Sequence, residues 1–219
     1  MTEDLIWRIP LLGLFLIAGV IYDRWRHGAE GRRAKEYSLL LGCGLLGALI
    51  GLLQDLISIR VSPDYFVVGK GIEDDADFTR QVLLMGSYAG FIAGLVLGGL
   101  LLLVNQPRPS RETLGYRALL ARGVPRTLGV AMAGVPIGFL IGPNSPLRAQ
   151  VGRSLLEAEA LERFLQVWGM HYGLYGGAAL GVGWALVSVW RARPAREVPK
   201  EQPEEPSPEQ TPGLGGNPS

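Results

Sequence analysis

The sequence predicts an all-α fold: a polytopic membrane helix bundle of five transmembrane helices, with two related helical hairpins and a disordered C-terminal tail. Three observations carry that prediction. Apolar residues make up 48% of the 219-residue chain and gather in runs long enough for the roughly 20 residues that a helix needs to cross a bilayer. Glycines recur every four residues within these runs. The polar landmarks of one stretch recur 83 residues later in another.

The first span runs from about Leu5 to Tyr22, the second from Tyr37 to Ile57 and the third from Val82 to Val104. The fourth, Thr127 to Gly142, is short and contains Pro136, which a membrane helix tolerates when neighbours satisfy the freed carbonyl. The fifth runs from Leu165 to Trp190. The first span is not read as a cleaved signal peptide, because Glu3 and Asp4 replace the basic leader and no A-x-A site follows. Residues 1–35 then form the first helix and a basic loop, 36–106 the first hairpin unit, 107–126 a cytoplasmic connector, 127–191 the second hairpin unit and 192–219 the tail. The tail is rich in Pro and Glu and has little apolar surface to bury.

Arginine and lysine orient the bundle. Fourteen of them flank one side of the five spans and seven the other, alternating as five crossings require. The positive-inside rule places the N-terminus outside and the C-terminus in the cytoplasm. The outer loop after the second span carries Glu73, Asp74, Asp75 and Asp77. It lacks the ligand order and central glycine of an EF-hand and is read as a solvated acidic loop.

In the repeat, Ser62-Pro63 matches Ser145-Pro146, Val68-Gly69-Lys70 matches Val151-Gly152-Arg153, and Arg80 matches Arg163. Gly51 meets Gly134. Each unit is one helix out, an outer segment and one helix back, so the repeat is parallel. Ser followed by Pro suits a helix start, with the hydroxyl as cap. Leu147, Val151, Leu155, Ala158, Leu161 and Leu165 recur at helical spacing, which predicts an amphipathic outer helix that runs on into the fifth span.

The glycine stripes are Gly86, Gly90, Gly94 and Gly98 in the third span and Gly169, Gly173, Gly177 and Gly181 in the fifth. Cys43, Gly47 and Gly51 mark the second span, and Gly134, Gly138 and Gly142 the fourth. Small residues at this spacing let helix backbones approach closely, here to pack the monomer, with a dimerisation face as the alternative. The first span lacks such a stripe and belongs at the periphery.

Composition and motifs exclude several functions. Net charge is +1, so no nucleic-acid partner is implied. A single cysteine, Cys43, allows no intrachain disulfide, and with two histidines it gives no basis for expecting a zinc site of the usual kinds. No phosphate loop, H-E-x-x-H, G-x-S-x-G or C-x-x-C is present, and neither an enzyme nor a cofactor is expected.

The candidate functional residues are polar groups within spans. Asp55 continues the stripe of the second span at four-residue steps, on the packed face near the outer end. A carboxylate there either serves a pathway or sits among headgroups beside Arg60, the reading favoured by its place near a span end. His171 lies two turns into the fifth span beside Tyr172 and Tyr175, on a side roughly opposite the glycines. It is read as part of an interfacial aromatic belt, with a proton relay to Asp55 as the alternative.

The stretch Gln54-Asp55 through Ser62-Pro63-Asp64-Tyr65-Phe66 resembles uncharacterised bacterial multi-pass membrane proteins with an S-P-[DE]-Y-F motif after a membrane helix. His171-Tyr172-Gly173-Leu174-Tyr175-Gly176-Gly177 is similar to their later motif. The resemblance implies a bacterial cytoplasmic (inner) membrane and no activity. Gln54 stands where that group carries histidine.

The expected function is a non-catalytic structural or accessory membrane component, since mid-membrane polar groups are scarce. The alternative is a small transporter or channel with a path involving Asp55 and His171. The expected partners are the lipid bilayer and either a membrane protein or further copies of this chain.

Overall fold

The computed structural model describes residues 3–151 and 156–196. Among them it contains seven α-helices and no strand. Five are long, of which the first four are α1 (Glu3–His27), α2 (Arg32–Val61), α4 (Phe78–Val104) and α5 (Tyr116–Ile141), with the short α3 (Asp64–Lys70) between α2 and α4. The short α6 (Leu147–Val151) precedes α7 (Ala158–Ala192), the longest of all. Four stretches are long and apolar enough to cross a membrane: α2, α4, α5 with the 3₁₀ turn that follows it, and α7.

Three sequence expectations are corrected. The fourth long helix starts at Tyr116, not Thr127, so the whole second half of the connector is helical and two prolines, Pro125 and Pro136, lie inside α5. The outer helix expected through Leu147 and Leu165 is broken: α6 ends at Val151, and Leu156 and Glu157 are non-helical, with Glu157 extended at ψ 158° ahead of α7. Arg153 and Leu155 lie outside the described residues. Ser62 and Ser145 do not cap with their hydroxyls, which are buried without a hydrogen-bond partner among the described residues. Their carbonyls start the next turn instead, accepting from Tyr65 N at 3.3 Å and Arg148 N at 3.1 Å.

Two helix pairs form the body, α2 with α4 and α5 with α7. The glycines set how closely they approach. A methyl group at Gly47 would collide with the carbonyl of Gly90, one at Gly51 with that of Gly86 and one at Gly94 with that of Cys43. Gly134 faces Gly173 in the same manner, Gly138 faces Gly169 and Gly142 faces the Leu165 carbonyl. Gly177 lies against Val130 and Ala131, Gly181 against Thr127, and Gly98 under the side chains of Leu40 and Cys43. In each pair one register number rises as the other falls, so both pairs are antiparallel. At such contact, dispersion and Cα–H···O bonds of about 0.5–1 kcal/mol each hold helices where a lipid medium supplies no hydrophobic force.

α1 packs along α2, where Gly19 admits the ring of Tyr37. Its other face is exposed and apolar, with Trp25, Trp7 and Phe15 outermost. The α1–α2 turn is fixed by Asp23, whose carboxylate is buried, accepts from Ala34 N at 2.7 Å and lies 2.9 Å from His27 Nδ1. It thereby satisfies one free N–H in the first turn of α2.

Two apolar clusters close the ends of the bundle. One joins α3, α4 and α7 through Phe66, Val82, Phe164 and Leu165. The other joins α2, α4, α5 and α7 through Leu39, Leu101, Leu119 and Val189. Beyond the second cluster, two arginines cross-link the pairs. Arg193, just after α7, donates to the carbonyls of Val104 (2.7 Å), Gln106 (2.6 Å), Glu112 (2.9 Å) and Arg111 (3.3 Å). Arg111 reciprocates, donating to Trp190 O at 2.9 Å and covering the Trp190 ring. Each thus serves the unsatisfied carbonyls at the end of the other pair's helix. Pro194 and Arg196 continue this contact by backbone bonds to Glu112 and Ser110, so the chain after 192 begins as a fixed strap. The rest of the expected tail, from residue 197, lies outside the described residues.

Two outcomes follow for stability. Gly173→Leu should destabilise the protein by about 1–3 kcal/mol or more through overpacking, while Gly176→Leu, with no atom near its added Cβ, should be tolerated. Thermal unfolding of both purified variants in one detergent checks the contrast. Arg193→Ala should cost on the order of 2–4 kcal/mol by orphaning several carbonyls, and Arg193→Lys should recover little, because an ammonium lacks the planar fork.

Candidate functional site

Between the two helix pairs, and between the two apolar clusters, lies a cavity of about 470 Å³. Its lining comes from α2, α3, α4, α5 and α7. At one end stand Asp55 and His171, whose exposures are only 5% and 4%.

Asp55 is six residues before the end of α2, about 9 Å along the helix axis. Its Oδ1 is 2.9 Å from Nε2 of His171. Its other oxygen, Oδ2, lies against Gly86, where any side chain would strike it, so the glycine stripe also makes room for the carboxylate. The expected pairing with Arg60 does not form: Asp55 is buried and faces α7, while Arg60 is exposed.

His171 is fixed at both ring nitrogens. Nδ1 lies 2.9 Å from the carbonyl of Val167, one turn back in α7. A carbonyl only accepts, so Nδ1 carries a proton. The Nε2···Oδ1 contact then needs one further proton, held either by the imidazole, giving an ion pair, or by the carboxyl, giving a neutral pair. Removing it sets a carboxylate against an imidazole lone pair. The arrangement therefore has one proton that can move within it and one state that repels when that proton leaves.

The ring is enclosed by aromatics. Tyr65 of α3 stacks on it at 4.8 Å and 22°, Phe66 meets it edge-on at 6.3 Å, and Tyr175 meets it edge-on at 6.1 Å. Burial, with smaller contributions from Tyr175 and Asp55, pushes the Tyr65 hydroxyl well above the usual tyrosine range, so it stays uncharged. His171 is likewise not part of the exposed aromatic surface of α7. Tyr172 and Tyr175 are exposed, Tyr172 lying tilted against Trp168 at 4.2 Å, whereas the His171 ring is buried and meets Tyr175 by its edge.

Sequence reading missed Tyr65, Gln54 and Ser58 as parts of this site. Gln54 is buried beside Asp55, and its amide donates to the buried Ser58 hydroxyl at 3.4 Å. Gln54 and Tyr65 both lie in the stretch 54–66, whose run of polar and aromatic residues at the end of an apolar span is the available signal. The acidic loop is exposed, with Asp77 paired to Arg80 at 2.9 Å. Compared with known proteins, the chain matches no family model, no curated protein and no solved structure.

A double-mutant cycle measures the pair. Asp55→Leu orphans the buried histidine and His171→Phe strands a carboxyl, so each should destabilise by about 2–5 kcal/mol. The double variant should cost less than their sum by about 1–3 kcal/mol. Strict additivity in chemical or thermal unfolding would show that the two groups do not interact.

Proposed function

We propose that this chain is a proton-linked carrier of the bacterial cytoplasmic membrane, in which Asp55 and His171 bind and release the proton. The observation that carries the reading is the buried pair at the end of a cavity between two helix pairs. An ionisable group at membrane depth is costly, and proton and ion pathways are where such groups are retained. Two self-packed pairs that meet across a cavity are also suited to rocking against each other around a central site.

In this reading α1 is the fifth transmembrane helix. Its 25 residues rise about 37 Å, enough to cross the roughly 30 Å hydrocarbon core. The N-terminus and the Asp55 end face outward, and the arginine cross-link lies in the cytoplasm, as the charge bias supports. The two pairs are related as repeated hairpins. Their registers differ by one turn: Gly51 pairs with Gly86, but the glycine that meets Gly169 is Gly138, not Gly134. From Gly51 to Ser62 is eleven residues, whereas from Gly138 to Ser145 is seven. The additional turn of α2 is the one that carries Gln54 and Asp55.

An accessory role, the expectation from scarce mid-membrane polar groups, leaves the buried pair without a task. Co-purification of a fixed-ratio partner from native membranes would favour it.

The deciding experiment uses liposomes with a trapped pH dye. An imposed pH gradient should collapse several-fold faster with the wild-type protein than with folded, inserted Asp55→Asn. Equal rates would remove the pair from any proton path.

A further inference from the structure

The lining of the central cavity is sorted by polarity. Along most of its length it is apolar, from Met85 and Ala93 on α4 to Val124 on α5 and Ala178 and Val182 on α7. The far end adds only Cys43 and Thr127, and the Thr127 hydroxyl is committed to the Gly123 carbonyl at 3.0 Å. Polar side chains gather at the other end: Gln54, Asp55, His171, Tyr175 and Lys70. A volume of about 470 Å³ lies within the ~300–1,000 Å³ typical of small-molecule sites.

The charge at the polar end has a sign. Asp55 and His171 sharing one mobile proton sum to zero. Lys70 does not: it is exposed at the mouth, 5.4 Å over the Tyr65 ring, and makes no ion pair among the described residues. Gln54, which lines the same cavity, uses one N–H on Ser58 and has another to donate. A cationic head would meet Lys70 with repulsion, and an uncharged one would leave it unanswered.

We infer that the cavity binds a single-tailed anionic amphiphile, its tail along the glycine-lined wall and its head between Lys70 and Gln54. Head chemistry of the carboxylate, sulfonate or phosphate kind meets the requirement. With the proton retained on Asp55–His171, anion and Lys70 cancel. With the proton gone, a second negative charge stands beside the head in a largely apolar space. Anion binding and proton retention therefore favour each other, as linkage demands. This coupling rests on the proton-linked carrier reading, whereas the binding itself stands apart from it.

The test is equilibrium binding of decanesulfonate, which does not titrate, to the full chain in nanodiscs of zwitterionic lipid, with empty nanodiscs as reference. Saturable binding is expected, weaker by about tenfold in Lys70→Gln and lost in Ala178→Trp or Ala93→Trp, whichever is shown folded by its unfolding profile. Decanol and decyltrimethylammonium should bind no better than to empty discs. Affinity should fall as pH rises, and in the Asp55→Leu, His171→Phe double variant, which removes both proton sites, it should be flat with pH. No saturable binding, equal binding of all three heads, or binding that survives the cavity-filling variants would overturn the inference. So would displacement by two-tailed anionic phospholipid in the disc. If binding fails but Asp55-dependent proton flux persists, the ligand assignment falls and the carrier reading stands. If sulfonate binds while Asp55→Asn leaves proton flux unchanged and the double variant leaves the pH profile unchanged, the coupling and the carrier reading fall together.

Discussion

Backbone-to-backbone contact between glycines is the constraint on which the other features depend. In a lipid medium, apolar side chains gain nothing by leaving their surroundings for one another, so helices need another reason to associate. Here they find it by removing side chains altogether along one stripe and letting carbonyls touch the opposite Cα atoms. The large apolar residues are displaced outward, where Leu140 and Leu180 stay more than 70% exposed. The interior is narrow within each pair and open between the pairs, so the geometry that tightens α2 on α4 and α5 on α7 also leaves the central cavity.

The same absence of side chains admits the polar pair. Asp55 reaches α7 past Gly86, and any larger residue there would push the carboxylate aside. His171 can answer it because Val167 fixes the ring from behind and Tyr65 covers its face. The two ends of the molecule are held by different kinds of bond. The Asp55 end relies on ring packing and one shared proton. The other end is laced by arginine bonds to backbone carbonyls, which are directional and numerous. Burial, then repulsion from Arg108 and Arg111, lowers the pKa of Arg193, but a guanidinium so placed remains charged.

The long helices are legible in sequence because each needs only local hydropathy, and the glycine stripes because a four-residue period is a local property of a helix. The start of α5 is less so: Arg117, Arg122 and Arg126 lower the hydropathy of its first turns, which are helical nonetheless. The meeting of Asp55 with His171 spans 116 residues and leaves no period to detect. The one-turn shift between the pairs is hidden for a related reason. Matching Ser62 to Ser145 and Gly86 to Gly169 without gaps forces Gly51 onto Gly134, and only the observed helix contacts show that the two pairs differ in register by one turn.

The lengthened segment of α2 also bears on stoichiometry. Four residues advance a helix by slightly more than one full revolution, so a packed stripe can absorb them and keep nearly the same face toward its neighbour. The segment before Ser145 has no such turn, and Gly142 closes directly on the backbone of α7. Two halves built alike would offer two acidic sites. These two, out of step by a single revolution, offer one, and on the proposed carrier reading the chain exchanges at most one proton there in each turnover.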